Sequence, residues 1–173
     1  LPYSAINSLD LQQGDGWSAT NAVIAANDEF FQLTASAAGA VDVTSPTGTD
    51  GFPVEPGRTY GFAIGSLYSS GGSGRIPQVN VTWYTAAGAT ISSSTPVAGS
   101  GDDGSSQVLV ITNATAPSNA AFASMTISWT TNWASGEVHR VPVVAFGPYD
   151  DTSTLGSPDG WLSSNIQAGE AAQ

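Results

Sequence analysis

The sequence predicts an all-β protein: an antiparallel two-sheet β-sandwich of the jelly-roll type, with nine or ten strands and no substantial helix. Val79, Val81 and Trp83 alternate with polar residues, which is the period of a half-buried strand. Comparable runs recur at spacings of about 8–15 residues, separated by turns rich in Gly and Pro, as in sandwiches. No stretch has the apolar period of an amphipathic helix. Together these patterns favour stacked sheets over alternating strands and helices.

The central stretch, residues 76–94, predicts a long hairpin. Its first arm carries the alternation of Val79 to Trp83, and Ile91 restarts an apolar run on the return arm. Ala87-Gly88 supplies the turn between them, because glycine adopts positive φ without steric cost.

The N-terminal part of the chain predicts a short strand over residues 5–11 and one continuous strand over residues 17–26. Residues 30–37 and 40–45 alternate in the same way on either side of Gly39 and predict a second hairpin. Residues 58–68 predict a strand with Tyr60, Phe62 and Ile64 on one face and small residues on the other. Pro56-Gly57 before it is typical of a type II turn.

The C-terminal part predicts three further strands, over residues 107–113, 121–130 and 137–146. Between the strands, the Gly- and Ser-rich stretches 69–74 and 98–106 are expected to be flexible loops with no packing reason to order. Pro, Gly, Asp and Ser dominate after residue 147. We therefore expect a sandwich domain over residues 1–149 and a C-terminal tail over residues 150–173.

The charge content excludes several classes of partner. The 173 residues include 14 acids, three arginines and no lysine, giving a net charge of −11. Such a chain repels phosphate backbones and anionic lipid, so nucleic acid is not an expected partner. No apolar run reaches the roughly 18 residues of a membrane span, so membrane insertion is not expected either. The absence of cysteine excludes disulfides and thiolate metal sites.

Catalytic residues are not expected. The single histidine, His139, lies within a predicted strand and is interpreted as an ordinary sheet residue. The sequence has no Gly-x-Ser-x-Gly elbow. Acid pairs occur in predicted loops, where carboxylates are usually solvated, and not in a pattern that predicts a glycosidase cleft.

The same loops contain candidate calcium ligands, although no cofactor is required by the sequence. Calcium prefers six to eight oxygen ligands, which carboxylates and backbone carbonyls of glycine-rich loops can provide. The candidates are Asp102, Asp103, Asp150 and Asp151.

Candidate glycan-binding residues are aromatic rings outside the predicted core, because sugars stack on exposed rings while amides bond their hydroxyls. Trp133 lies in the short polar loop 131–136 beside Asn132, where burial is hard to arrange. Tyr84 is out of phase with the core, and Tyr68 lies at a strand end. Alternatively, Trp133 closes one end of the sandwich or contacts a partner protein. The tryptophans in phase with aliphatic neighbours, and thus expected in the core, are Trp17, Trp83 and Trp129.

Four segments carry a family resemblance through their order and spacing: Gly16-Trp17, Val54–Tyr60 around Pro56-Gly57, Val81–Gly88, and Ala116-Pro117 leading through Trp129 to Gly136-Glu137-Val138. Over residues 5–147 the chain resembles the carbohydrate-binding-module-like jelly rolls of secreted glycoside hydrolases. It resembles still more the copies in minor tail and accessory virion proteins of actinobacterial phages. In that family an acidic residue commonly follows the Gly-Glu-Val step and helps to hold calcium or strand register. Here Val141-Pro142 stands instead, and Pro142 predicts an edge strand or a bulge.

The resemblance implies a non-catalytic accessory protein at the virion surface, on the tail or the capsid. Its implied partners are other virion proteins or further copies of itself, together with polysaccharide at the host surface. The alternative that it implies is an extracellular glycan-binding module of a secreted glycoside hydrolase.

Overall fold

The computed structural model describes residues 16–26, 31–72, 74–101 and 108–149. Within these ranges the chain forms twelve strands and one turn of 3-10 helix, Gly48–Asp50. The strands are β1 Ser18–Thr20, β2 Ala22–Ala26, β3 Phe31–Ala35, β4 Asp42–Thr44, β5 Phe52–Pro53, β6 Thr59–Ser70, β7 Pro77–Tyr84, β8 Thr90–Ser93, β9 Val97–Ala98, β10 Val108–Thr115, β11 Phe122–Trp129 and β12 Val138–Pro148. The predicted all-β class is confirmed. The structure has more strands than the nine or ten predicted, partly because β5 and β9 have only two residues each. Two residues are too few to show an alternation of apolar and polar side chains.

The strands form two antiparallel sheets. The seven-stranded sheet has the order β1-β4-β11-β7-β8, with β5 beside β11 and β9 beside β7. The five-stranded sheet has the order β10-β6-β12-β3-β2. One continuous apolar core lies between them, because alternate residues of both sheets point inward. Within the described residues, no helix is long and apolar enough to span a membrane.

The central strands follow the predicted alternation closely. In β6, Tyr60, Phe62 and Ile64 are buried in the core, as expected. In β11, Met125 and Ile127 are 0% exposed, and Trp129 closes the same face. Trp83 is buried as well, whereas Trp17 is only half-buried against the core.

The predicted central hairpin is confirmed. β7 pairs with β8, with Thr82 opposite Ser93. The connection is closed by a hydrogen bond from Thr85 N to Ala89 O (2.9 Å), and Gly88 takes a φ of 81° within it. The type II turn at Pro56-Gly57 is confirmed as well, with Gly57 at a φ of 76° and Arg58 N donating to Glu55 O.

The predicted continuous strand over residues 17–26 is wrong, because the chain changes sheet in its middle. β1 belongs to the seven-stranded sheet and β2 to the five-stranded sheet. Asn21 lies between them at a φ of 56°, a region that Asn tolerates better than most residues. Its side chain Nδ2 donates to Ala40 O (2.8 Å), which holds the crossing in place.

The predicted hairpin of residues 30–37 and 40–45 is also wrong. β3 pairs with β2 and β12 in one sheet, and β4 pairs with β1 and β11 in the other. Gly39 does turn the chain, but it forms an isolated bridge with Trp133 and leads to the opposite sheet. A crossing between sheets and a hairpin share the same alternation, so the local pattern could not distinguish them.

Pro142 lies at a bulge, one of its two predicted settings. β12 is flanked by β6 and β3, so it is not an edge strand, and its register against β6 shifts between Arg140 and Val143. A bulge accommodates proline because the extra residue needs no ladder partner. The predicted strand 5–11 and the tail 150–173 lie outside the described residues, and the boundary at residue 149 stays a prediction.

Candidate functional site

Trp133 is buried, with 1% of its surface exposed, so the expectation of an exposed ring is wrong. The cause is a long-range bridge: Trp133 N donates to Gly39 O (2.8 Å), and Gly39 N donates to Trp133 O (3.0 Å). This pairing draws the loop onto the end of the sandwich. The alternative interpretation, that Trp133 closes this end, agrees with the structure. Asn132 beside it stays exposed.

The Trp133 ring packs against two other rings. Its centroid lies 4.6 Å from that of Trp129 in an edge-on arrangement and 4.1 Å from that of His139. Trp129 Nε1 donates to Ser66 Oγ at 3.3 Å. Trp133 Nε1 is buried and finds no hydrogen-bond partner in the described part of the chain. These rings have no free face on which a sugar could stack.

Next to these rings lies a group that we call the carboxylate cluster: the buried Glu137 and His139, the partly exposed Arg75 and the exposed Thr131. Glu137 and His139 are both 0% exposed. Arg75 donates two hydrogen bonds to the Glu137 carboxylate, Nε to Oε1 and Nη2 to Oε2, each 2.9 Å. His139 Nε2 lies 2.8 Å from Glu137 Oε1, and Arg75 Nη1 donates to Thr131 Oγ1 (3.3 Å).

The surroundings of Glu137 keep it ionised. Burial alone raises the pKa of a carboxyl, but hydrogen bonds from Arg75, His139 and the backbone N of Ala134, together with the charge of Arg75, outweigh it. The pKa of Glu137 falls to about 2 from its ordinary 4.5. The ionised carboxylate therefore joins the loop that contains Arg75 to the stretch from Ala134 to His139.

The loop between β6 and β7 is fitted to this carboxylate. A Cβ on Gly72 would lie 2.7 Å from Glu137 Oε2, and one on Gly71 would lie 3.0 Å from Glu137 Cα. The prediction that glycines of this loop have no packing reason to order is wrong for these two. The carboxylate of Glu137 and the imidazole of His139 are both closed to solvent.

Of the two tyrosine candidates, Tyr84 does not present an open platform, and glycan binding by Tyr68 stays a prediction. Tyr84 points out of the core, as predicted, yet it is only 8% exposed, and its hydroxyl lies 3.0 Å from Ser124 Oγ. Tyr68 lies in β6 opposite His139. The calcium candidates Asp102, Asp103, Asp150 and Asp151 all lie outside the described residues, so calcium binding stays a prediction. Within the described ranges no three acidic or histidine side chains gather as a metal site.

A different surface stands out, which we call the polar face: the outward side chains of β4, β11 and β7. Register places them in rows across the sheet, so that Ser128 lies between Asp42 and Gln78, and Thr126 lies between Thr44 and Asn80. Neighbours within a row are about 4.8 Å apart, and rows are about 6.7 Å apart. The members are Asp42, Thr44, Gln78, Asn80, Thr82, Ser124, Thr126 and Ser128. Ser124 is only 1% exposed and Ser128 9%, so the accessible members are the other six, which are half-buried.

The polar face carries hydroxyls and amides, one acid and no base. Neighbouring side chains bond one another: Gln78 Nε2 donates to Ser128 Oγ (3.0 Å), and the Thr44 and Thr126 hydroxyls lie 3.3 Å apart. These bonds hold the side chains in fixed orientations. The half-buried Thr44, Thr82 and Thr126 hydroxyls keep further capacity to donate or accept, so this face can bond an uncharged, hydroxyl-rich ligand.

One aromatic ring borders this face and was missed in the sequence. Phe122 lies between Tyr84 and Pro53, one row beyond Ser124, and is half-buried. It is out of phase with the core residues Ala123 and Met125 of the same strand. That phase, which was noticed for Tyr84, could have identified it.

Comparisons with known proteins agree with the architecture. Neither a protein-family model nor a curated protein sequence matches the chain. Among solved structures, a xylan-binding domain, CBM22-1 of Paenibacillus barcinonensis Xyn10C, matches 77% of this chain and 85% of its own, with 10% identity and a TM-score of 0.55. The chain has the jelly-roll fold of carbohydrate-binding modules.

Two further structures extend this likeness. The N-terminal cellulose-binding domain of Cellulomonas fimi β-1,4-glucanase C gives a TM-score of 0.52 at 15% identity, over 78% of this chain and 90% of that one. The enzymatically active domain of tailspike protein 4 from bacteriophage CBA120 gives 0.57 at 13% identity, over 82% of this chain. The match spans only 20% of that tailspike chain. Identities this low show the shared fold alone.

Proposed function

We propose that this jelly roll is a non-catalytic accessory module of a phage particle, on its tail or capsid, which binds other virion proteins and contacts host-surface polysaccharide. The single observation that carries the glycan contact is the polar face. Ordered hydroxyls and amides suit the hydroxyls of an uncharged polysaccharide, and the Phe122 ring supplies an apolar patch at the border. The net charge of −11 disfavours nucleic acid and anionic lipid as partners.

The adhesive, non-catalytic character is supported by the buried titratable groups. Glu137 and His139, the acid–imidazole pair of this fold, are 0% exposed and already bonded to each other. A general acid or base must reach its substrate within hydrogen-bond distance.

The second candidate is a glycan-binding module of a secreted glycoside hydrolase, in an extracellular setting. The likeness to the Paenibacillus barcinonensis xylan-binding domain, which covers 85% of that domain, favours this alternative. The neighbouring genes and the rest of the parent polypeptide distinguish the two candidate functions. Virion structural genes on either side support the first, and a hydrolase domain in the same polypeptide supports the second.

A glycan array tests the contact surface, with bacterial cell-wall glycans, xylan and cellulose as probes. We expect the wild type to bind, and Asn80→Ala and Phe122→Ala to lose at least tenfold in affinity. Thr34→Ala is the matched control, because Thr34 lies on β3 in the other sheet and alternates with buried Leu33 and Ala35. Absence of binding to every probe, or equal losses in all three variants, refutes the polar face as the glycan site.

A further inference from the structure

β10 forms one edge of the five-stranded sheet, and within the described residues only β6 pairs with it. It is eight residues long, whereas β2 at the other edge has five, and the outer strands of the seven-stranded sheet have two to four. Edge strands are usually protected by charges or proline, and β10, with the sequence VLVITNAT, has neither. It is therefore the longest and least protected edge that the structure describes.

The direction of the unused backbone groups follows from the neighbouring hydrogen bonds. Ala116 N donates to Arg58 O (2.9 Å), whereas Thr59 O accepts from Tyr149 N on the opposite side of β6. Successive residues of an antiparallel strand direct their backbone groups to alternate sides. The even-numbered residues of β10 therefore bond β6. The residues whose N–H and C=O groups point to the edge are Leu109, Ile111, Asn113 and Thr115.

Two of the four outward residues, Leu109 and Ile111, are apolar, and the other two, Asn113 and Thr115, are polar but uncharged. Leu109 is 41% exposed, and Ile111 packs beside Ala63 and Ala145 on the outer face of the sheet. From the inner side, Gly99 approaches so closely that a Cβ there would lie 2.8 Å from Val110 Cγ2. This packing fixes the strand in an extended form before any partner arrives, which lowers the entropy cost of pairing.

We propose that β10 is a self-association edge, at which two copies of this chain pair their β10 strands antiparallel about a two-fold axis. Centred on Ile111, the pairing sets Ile111 opposite Ile111 of the second copy and Leu109 opposite Asn113 of the second copy. About six backbone hydrogen bonds would join the two five-stranded sheets into one. A second copy fits better than a charged partner, because the edge holds none of the 14 acids or three arginines.

Light scattering on the full chain at rising concentration tests this pairing. We expect the mass to rise from 17.5 kDa towards twice that value. Leu109→Lys places a charge at the edge, and Asn113→Pro removes an outward N–H that β6 does not use. We expect each to weaken dimerisation at least tenfold. The matched control is Val23→Lys on the opposite edge strand β2, where Val23 is 62% exposed, and we expect it to dimerise normally.

Circular dichroism at the same concentrations verifies that each variant is folded. If one of the two β10 substitutions prevents folding, the other still tests the proposal. A wild type that stays at 17.5 kDa overturns the proposal. So does a dimer that survives both β10 substitutions, or one that Val23→Lys weakens equally. Glycan binding does not enter this measurement, so the outcome is independent of the proposed function.

Discussion

The two ends of the sandwich bury aromatic rings in different ways. At one end, where β6 begins, Tyr60 stacks on Phe146 with centroids 5.5 Å apart and planes within 9°. Phe52 lies 5.0 Å from the same Phe146 ring, and Trp83 lies 6.3 Å from Tyr60. The polar atom of this group, Tyr60 Oη, accepts a hydrogen bond from Glu55 N (2.7 Å). This aromatic end involves no ionised side chain in these contacts.

At the other end, the rings of Trp129 and Trp133 pack against His139, and His139 contacts the ionised Glu137. Here the loops that close the sandwich are bound to a buried charge and not to another ring. Such a cluster is stable only while every member is present, because an unpaired buried charge is costly. The two ends should therefore respond differently to acid and to substitution, although both bury similar rings.

The largest effect is expected from Phe146→Ala at the aromatic end. Removing a ring with 4% exposure leaves a cavity beneath Tyr60 and Phe52, and such changes cost about 4 kcal/mol of unfolding free energy. Denaturation by urea at pH 7 and at pH 4 measures it. Because the ring contacts of Phe146 in the described part of the chain are with Phe52, Tyr60 and Phe62, the loss should be the same at both pH values. A strong pH dependence would contradict the comparison.

Glu137→Gln should cost about 3 kcal/mol, because it removes the negative charge that Arg75 and His139 face while keeping the side-chain shape. Urea denaturation at pH 7 measures this loss. The matched control is Glu55→Gln, which breaks an exposed pair with Arg58 and should change stability by less than about 1 kcal/mol. Equal effects of the two substitutions would show that the cluster contributes no more than a surface ion pair.

Acid should weaken the wild type through the same carboxylate. The pKa of Glu137 is about 2 when folded and 4.5 ordinarily, so the unfolded chain binds the proton more readily. The contribution of Glu137 to the free energy of unfolding is fully present above pH 4.5 and is lost as pH falls towards 2. Between pH 5 and pH 3 the loss is about 2 kcal/mol. Subtracting the pH profile of Glu137→Gln isolates this part from the other acids, and parallel profiles would contradict the assignment.

The smallest effect is expected from Tyr84→Phe, on the outer side of the seven-stranded sheet. It removes the buried contact between the tyrosine hydroxyl and Ser124 Oγ, at a cost of about 1 kcal/mol. Thermal unfolding should show the same loss at pH 4 and pH 7. A loss as large as that of Glu137→Gln would mean that buried hydroxyl pairs stabilise this sandwich as strongly as the charge cluster.

The strands themselves were readable from the sequence because their signal is local. Alternation in β6, β7 and β11 identified the buried face of each, and Gly57 and Gly88 marked turns through their tolerance of positive φ. Pro142 indicated an edge strand or a bulge, since a missing N–H is a property of that residue alone, and the structure shows the bulge.

The burial of the candidate site residues could not be predicted from the sequence, because it depends on contacts with residues far away in the chain. Trp133 is buried through its bridge to Gly39, and Glu137 is ionised through its contact with Arg75, which lies 62 positions away. Phe122 and Thr126 show their outward phase locally, but only register with β4 and β7 places them in one surface.

By itself, the sequence determined most of the longer strands, which of their faces is apolar and where several turns lie, because each depends on a few adjacent residues. Only the tertiary structure decided which sheet receives β1, β2, β3 and β4, and which polar and aromatic side chains are closed to solvent. The physical reason is that a period of two is the same whichever strand lies alongside, whereas sheet membership and burial are set by contacts between residues far apart in the chain.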